Sequence, residues 1–408
     1  MISLAVLTAL VALIALIVKA AGWRFALKRF AGALLVLVIV TFGVSVLLRF
    51  ASADEDVQKA LESLDVSPNA QPCVTALGTG ATKEAVDACV EDRGLDDGPV
   101  QQYLSWVNQI VFEQDLGYAY YKNQEPLSEV IQQRLPRTAW LFLYSQLLAL
   151  FLAIPLGIWS AYQAGRSGRT RIPLWLLPIG VVVLVLLGVF GGLMLSSVVF
   201  LGIIVPSVVF HLFRGGADAD SATNFLAFAL LSIPVFVLGV TLRYVFAIER
   251  DVFQLTGYEP WSEGAWNHLS SVWLPALVLG LAATPVYLRL LRADMIQNLQ
   301  QDFVSVAKAK GMSNTHILLR HVLRPSTVTL ITVLGLNIAQ LVNGAIVVEY
   351  IFDFDGMGSF LLESFARREF FAVQTVVALV AVVFILTNTL IDVLYTAVDP
   401  RVTAGDDR

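Results

Sequence analysis

Long apolar runs separated by short polar joints organise the chain. Residues 2–20, 30–50, 138–162, 172–191, 193–213, 223–247, 272–292, 327–350 and 372–397 are each almost continuously apolar. Roughly 20 such residues in a helix cross a bilayer with every backbone group satisfied inside the segment. The pattern predicts an all-α polytopic membrane protein of about nine spans. Composition agrees: 57% of the 408 residues are hydrophobic and 14% charged, and the mean hydropathy is +0.72. One water-soluble core could not bury that much apolar surface.

The sign of each joint carries more information than the net charge of -5. Lys19, Arg24, Lys28 and Arg29 lie between the first two runs, Arg166, Arg169 and Arg171 follow the third, and Arg289, Arg292, Lys308, Lys310, Arg320 and Arg324 cluster after the seventh. Positive joints stay in the cytoplasm, which predicts an N-terminus outside, a C-terminus inside and the acid-rich segment 51–135 outside. The first run lacks a positive n-region, and cleavage at "IVKAAGW" would put Arg24, Lys28 and Arg29 on the wrong side. It reads as an added transmembrane helix rather than a signal peptide.

Segment 51–135 holds both cysteines, Cys73 and Cys89. In an oxidising compartment this isolated pair is expected to form a disulfide, the alternative being two free thiols in an insert. Residues 99–135 mix aromatic and acidic residues at near-helical spacing. They are expected on the membrane surface or on the outer ends of the helices.

Catalytic chemistry is not signalled. His211, His268, His316 and His321 form no metal-spaced set. There is no G-x-x-x-x-G-K-[ST], and "GTGATKEA" at 78–85 has the wrong spacing and the wrong side, so ATP-driven work would need another chain. Inside the spans, Asn337, Gln340 and Asn343 recur every three residues on one helix face. Such a face points at a neighbouring helix or at a wet path, and the spacing leaves both open. Glu349, Asn388 and Asp392 raise the same question, and Pro234, Pro275 and Pro285 predict kinks.

One basic segment between two apolar runs stands apart: "DFVSVAKAKGMSNTHILLRHVLRPS", 302–326. Its first half predicts a helix with Phe303, Val306, Ala307 and Lys310 on one side, broken by Gly311. Ser313 or Asn314 then caps a second short helix with Ile317, Leu318, His321 and Val322 on its apolar side, and Pro325 is expected to end it. Two short helices around a glycine turn suit a groove on a partner; a basic loop held at phosphate headgroups is the other reading.

"AKAKG" (307–311) followed by "HILLRHVLRPS" resembles the coupling loop of ABC importer permeases of the dipeptide/oligopeptide and nickel branch. "EYIFDFDGMGSFLLESFARREFFAVQ" (349–374), "IDVLYTAVDPRV" (391–402), "SIPVFVLGVTLRYVFAI" (232–248), "WLPALVLGLAATPVYLRLLRADM" (273–295) and "DLGYAYYKNQEPLSEVIQQRLPRTAWL" (115–141) resemble further segments of that branch, in its order. Ser305 stands where the wider family carries a glutamate, and the proline-glycine-aspartate-proline after the first core helix is replaced by "ASADEDVQKAL".

The resemblance implies a type I importer permease core with extra transmembrane helices. Residues 1–29 would be an added helix and joint, 30–50 the first core helix, 51–135 an extracytoplasmic segment, 136–402 the core with a hairpin inserted at about 172–222, and 403–408 a cytoplasmic tail. It also implies a transport subunit without enzymatic activity or cofactor, in a prokaryotic cell membrane. Its partners would be membrane lipid, a second permease subunit, two cytoplasmic ATPases and an external binding protein, with no nucleic acid. Ala307, Lys308, Ala309, Lys310, Gly311 and Arg320 would couple to the ATPase, and Asn337, Gln340 and Asn343 would line the path. Dipeptides or oligopeptides are the expected substrates. Nickel or another small solute is the alternative, and an ion-coupled secondary transporter a more distant one, since the spans hold few acids and show no internal repeat.

Overall fold

A computed structural model gives the architecture, describing residues 23–49, 55–67, 70–78, 80–92, 95–119, 125–164, 227–228, 230–249, 256–367 and 369–398. The runs 2–20, 172–191 and 193–213, with the proposed hairpin, lie outside the described residues. Among those described, five helices are long and apolar enough to cross a membrane, through Phe30–Leu48, Leu127–Tyr162, Ala265–Leu299, Asn314–Gly335 and Phe371–Thr389. The chain divides into two compact units, Met1–Ala139 with Asp355–Arg408, and Trp140–Phe354.

In the first unit, α1 (Trp23–Arg49) packs on α13 (Phe370–Val398). Three short helices, α2 (Glu55–Leu64), α3 (Gln71–Leu77) and α4 (Lys83–Asp92), form a small body of their own. Val57, Leu61, Val74, Val86 and Val90 are its core, and a disulfide joins Cys73 to Cys89 within it. Five apolar side chains at a few kcal/mol each do little against the ordering entropy of some forty residues, so the covalent tie matters here. Helix α5 (Pro99–Asn108) then runs back onto α1 and passes into one π-turn, Gln109–Glu113.

The aromatic segment 99–135, read as near-helical in spacing, is not one continuous helix. Gln114 and Gly117 adopt φ of 56° and 80°, and a two-residue ladder, β1 (Tyr118–Ala119) against β2 (Glu125–Pro126), precedes α6 (Leu127–Ala164). The first turns of α6 pack through Leu127, Val130 and Ile131 onto Met357, Phe360, Ala372 and Val376 of α12 (Met357–Ala366) and α13.

The second unit is built on α8 (Ala265–Leu299), against which α11 (Leu323–Phe352) and α7 (Val235–Arg243) lie. A β-carbon on Gly280 would come within 2.7 Å of Leu148 Cδ2 and 3.0 Å of the Ser145 carbonyl. α6 and α8 therefore cross at backbone contact, the close approach that small residues allow between apolar helices. Pro275 and Pro285 are carried inside α8, whereas Pro234 breaks its helix and starts α7. At 35 residues α8 is about 52 Å long, far more than the ~30 Å hydrocarbon layer, so part of it extends beyond that layer, and the basic segment follows its last turn.

Candidate functional site: a basic protrusion riveted to the end of the helical bundle

The segment 302–326 folds as α9 (Asp302–Ala309), a turn, α10 (Asn314–His316), a π-turn (Ile317–Val322) and the start of α11. Gly311, at φ +76°, ends α9. Its N–H donates to the Lys308 carbonyl at 2.9 Å, and the Met312 N–H donates to the Ala307 carbonyl at 3.2 Å. This paired pattern is a Schellman stop, and it demands a left-handed residue where Gly311 stands. Ser313 then caps α10, its hydroxyl accepting from the His316 N–H at 3.3 Å.

Two expectations are corrected here. Val304 and Ala307 are the buried side of α9, while Phe303 and Val306 remain 41% and 53% exposed. The reason is the local core: Val304 and Ala307 pack with Ile317, Leu318 and Val322 on Leu291 and Met295 of α8 and on Ala161 of α6. Nor does Pro325 end the second helix. It sits in the first turn of α11, where a missing N–H costs little, and the π-turn before it spares the carbonyl its ring would otherwise strike.

Polar bonds fasten the base. Asn298 Nδ2 donates to Asp294 Oδ2 at 3.0 Å and to Ser326 Oγ at 3.0 Å, and Thr329 Oγ1 donates to Asp294 Oδ1 at 3.3 Å. Arg292 Nε donates to Ser160 Oγ at 3.0 Å. The end of α8 is thus tied to the start of α11 and to α6. Asp294, Asn298, Ser326 and Thr329 were not singled out in the sequence; the i, i+4 spacing of Asp294 and Asn298 is the only local signal of this bond set.

The free side of the protrusion carries Phe303, Val306 and Met312 among Lys308, Ala309, Lys310 and Gly311, with Arg320 also exposed. Of the six residues assigned to coupling, only Ala307 is buried. Exposed apolar side chains within a basic frame form the chemistry of a protein contact, not of a catalytic centre.

Elsewhere in the second unit, the Tyr287 hydroxyl donates to Gln146 Oε1 at 2.6 Å, and Asn337 sits beside the same hydroxyl. Three helices share this buried node, which places Asn337 in a helix interface. The side chains of Gln340, Asn343 and Asp392 lie outside the described residues. In the first unit, Arg134 is buried and pairs with Asp355 and Glu363, Arg137 Nη1 donates to Asp355 Oδ2 at 2.7 Å, and the Met357 N–H donates to Thr138 Oγ1 at 2.9 Å. This clamp pins the "FDGMG" turn, which resemblance had marked without naming its partners.

A bundle of long apolar helices bearing a rigid, basic, partly apolar protrusion defines a membrane component built to engage another protein. Residues 214–404 match the family described as "Binding-protein-dependent transport system inner membrane component". The oligopeptide transport system permease protein AppB of Bacillus subtilis (strain 168) is 28% identical over 315 residues, 77% of this chain and 83% of that protein. A putative peptide transport system permease protein of Brucella abortus (strain 2308) is 29% identical over 376 residues, 92% and 98% of the two chains. The glutathione transport system permease protein GsiC of Escherichia coli O6:H1 is 27% identical over 331 residues, 81% and 88%. Over residues 214–404 the chain is thus similar to the inner membrane components of binding-protein-dependent transport systems, and the relatives it matches along most of its length are named as permeases of such systems.

Proposed function

We propose that the chain is one half of the translocation path of a peptide importer and that residues 302–324 are its dock for the ATPase. Four of its residues, Phe303, Val306, Lys308 and Lys310, are presented outward while Val304, Ala307, Ile317 and Leu318 hold the module to the bundle. That division between a riveted side and a free side is the observation that carries the reading. Closure of two ATPase subunits on ATP would push the protrusion, and the base bonds around Asp294 would turn that push into movement of α6, α8 and α11, shifting the bundle between two openings.

The other half of the path would come from a second permease subunit, and substrate from an external binding protein. Peptide as substrate rests on the relatives named for oligopeptide, peptide and glutathione transport. The protrusion would face the cytoplasm and the disulfide-bonded body the outside, with N-terminus out and C-terminus in. The core would be 136–402, carrying the inserted hairpin and preceded by the added helix. On the polar face of α11, Asn337 would hold the interface with Tyr287 and Gln146, and Gln340 and Asn343 would continue that face along the wall of the path.

Affinity purification in mild detergent tests the dock. The wild type brings the ATPase with it, and Gly311→Glu, which forces a side chain into the left-handed turn, loses it. Phe303→Asp leaves every rivet in place and is expected to lose the ATPase too, with unchanged membrane insertion. ATPase recovery undiminished in Phe303→Asp would overturn the assignment.

A further inference from the structure

Segment 99–113 is not explained by transport or coupling. Its residues 99–112, "PVQQYLSWVNQIVF", contain no Asp, Glu, Lys, Arg or His, although Asp96 and Asp97 precede them and Glu113 and Asp115 follow. One side of α5 is fixed to α1: the Tyr103 hydroxyl and Thr41 Oγ1 share a hydrogen bond at 2.8 Å, and the Tyr103 ring lies edge-on to Phe42 at 5.4 Å. Tyr103 and Trp106 are buried there. Val100 and Leu104, one helical turn apart, face away at 57% and 59% exposed, and Val111 and Phe112 continue the apolar surface at 59% and 77%.

Depth decides what meets that surface. Thr41 lies seven residues before Leu48, where the apolar span of α1 ends, which at 1.5 Å per residue is about 10 Å along the helix. A helix hydrogen-bonded at Thr41 is therefore below the end of the span, not above it. Its host is bare on its own account, with Leu34, Leu35, Val38, Ile39 and Leu47 exposed. The polar side chains are uncharged along 99–112: Gln101 and Ser105 are exposed, and Gln102 Nε2 donates to the Leu95 carbonyl at 2.8 Å. Carboxylates enter only at the far end, where Asn108 Nδ2 donates to Glu113 Oε1 at 3.0 Å and Gln109 Nε2 to Asp115 Oδ2 at 3.2 Å.

We infer that Pro99–Glu113 is an interfacial membrane helix, its Val100, Leu104, Val111 and Phe112 side sunk among the acyl chains of the leaflet at the Leu48 end of α1. Immersion of about 5–10 Å is what such helices reach, and the charge-free stretch is what hydrocarbon tolerates. Bulk lipid is the occupant because the surface continues that of a lipid-facing span. The segment thereby anchors the acid-rich body 55–92 at the membrane.

Spin labels on the assembled importer in liposomes test this. Nitroxides are attached to Val100→Cys, Leu104→Cys and Val111→Cys, with Leu35→Cys as the lipid reference and Glu62→Cys as the water reference. Power saturation by oxygen is compared with that by a water-soluble nickel chelate. The inference requires all three sites to respond more to oxygen than to chelate, as Leu35→Cys does. Chelate dominance, as at Glu62→Cys, places the helix in water and overturns it. Protection from both reagents means that a protein covers the stripe and overturns it as well.

Discussion

Gly311 is the residue on which the shape of the protrusion turns. A β-carbon at φ +76° costs about 1–2 kcal/mol, less for Asn than for other residues. Gly311→Asn is therefore expected to keep most ATPase recovery on purification and Gly311→Val to lose it; equal recovery from both would remove the turn from the argument. Ile317, fully buried in the rivet core, has a different task. Ile317→Ala should cost about 2–5 kcal/mol of packing, seen as a lower melting temperature of the purified chain rather than as a selective loss of docking. The sequence showed the glycine, the Ser313 cap and the inward set Ile317, Leu318 and Val322. It grouped Phe303 and Val306 with Ala307 on one side, because helical periodicity identifies an apolar stripe but not which part of it the chain keeps for itself and which it leaves exposed.

At the scale of elements, the proposed coupling would run through long helices. α8 and α11 are joined through Asp294, Asn298, Ser326 and Thr329, and under the proposed mechanism a dock without this base would move alone. Asp294→Ala leaves the outward face untouched, so the ATPase should still co-purify while the stimulation of ATP hydrolysis by loaded binding protein falls severalfold, since charge-assisted hydrogen bonds of about 1.5–3 kcal/mol are lost. Unchanged stimulation would show that the base does not transmit the push. Apolar runs made the helices legible in the sequence, yet the base bonds join residues 28 to 35 apart in the chain, beyond any local pattern. The end of the aromatic segment was equally hidden: left-handed Gln114 is not a turn residue by type, and the ladder of 118–119 with 125–126 rests on pairing that no local pattern announces.

For the molecule as a whole, the described residues separate into two units, and the disulfide belongs to a body with a very small core of its own. Closing a loop of 16 residues is worth about 3 kcal/mol, enough to decide whether α2–α4 stays folded. Cys73→Ala with Cys89→Ala should open 55–92 to limited proteolysis while ATPase recovery stays at the wild-type level. Loss of the ATPase in that variant would show the two regions to be energetically linked. Composition announced the membrane, the position of the cysteines announced the tie, and the spacing of 99–135 left the membrane surface and the helix ends both open; the depth of Tyr103 on α1 is what favours the membrane for Pro99–Glu113.

The proposed importer requires residues 302–324 to touch the ATPase at the membrane. Single cysteines at Val306, Ala309 and Met312 in importer-containing membranes, treated with a short bifunctional thiol-to-amine reagent, address this contact directly. The expected result is an adduct between this chain and the ATPase subunit from each of the three sites and none from Glu62→Cys. If the ATPase is present and active and no site from 306 to 312 yields an adduct, the protrusion is not the dock.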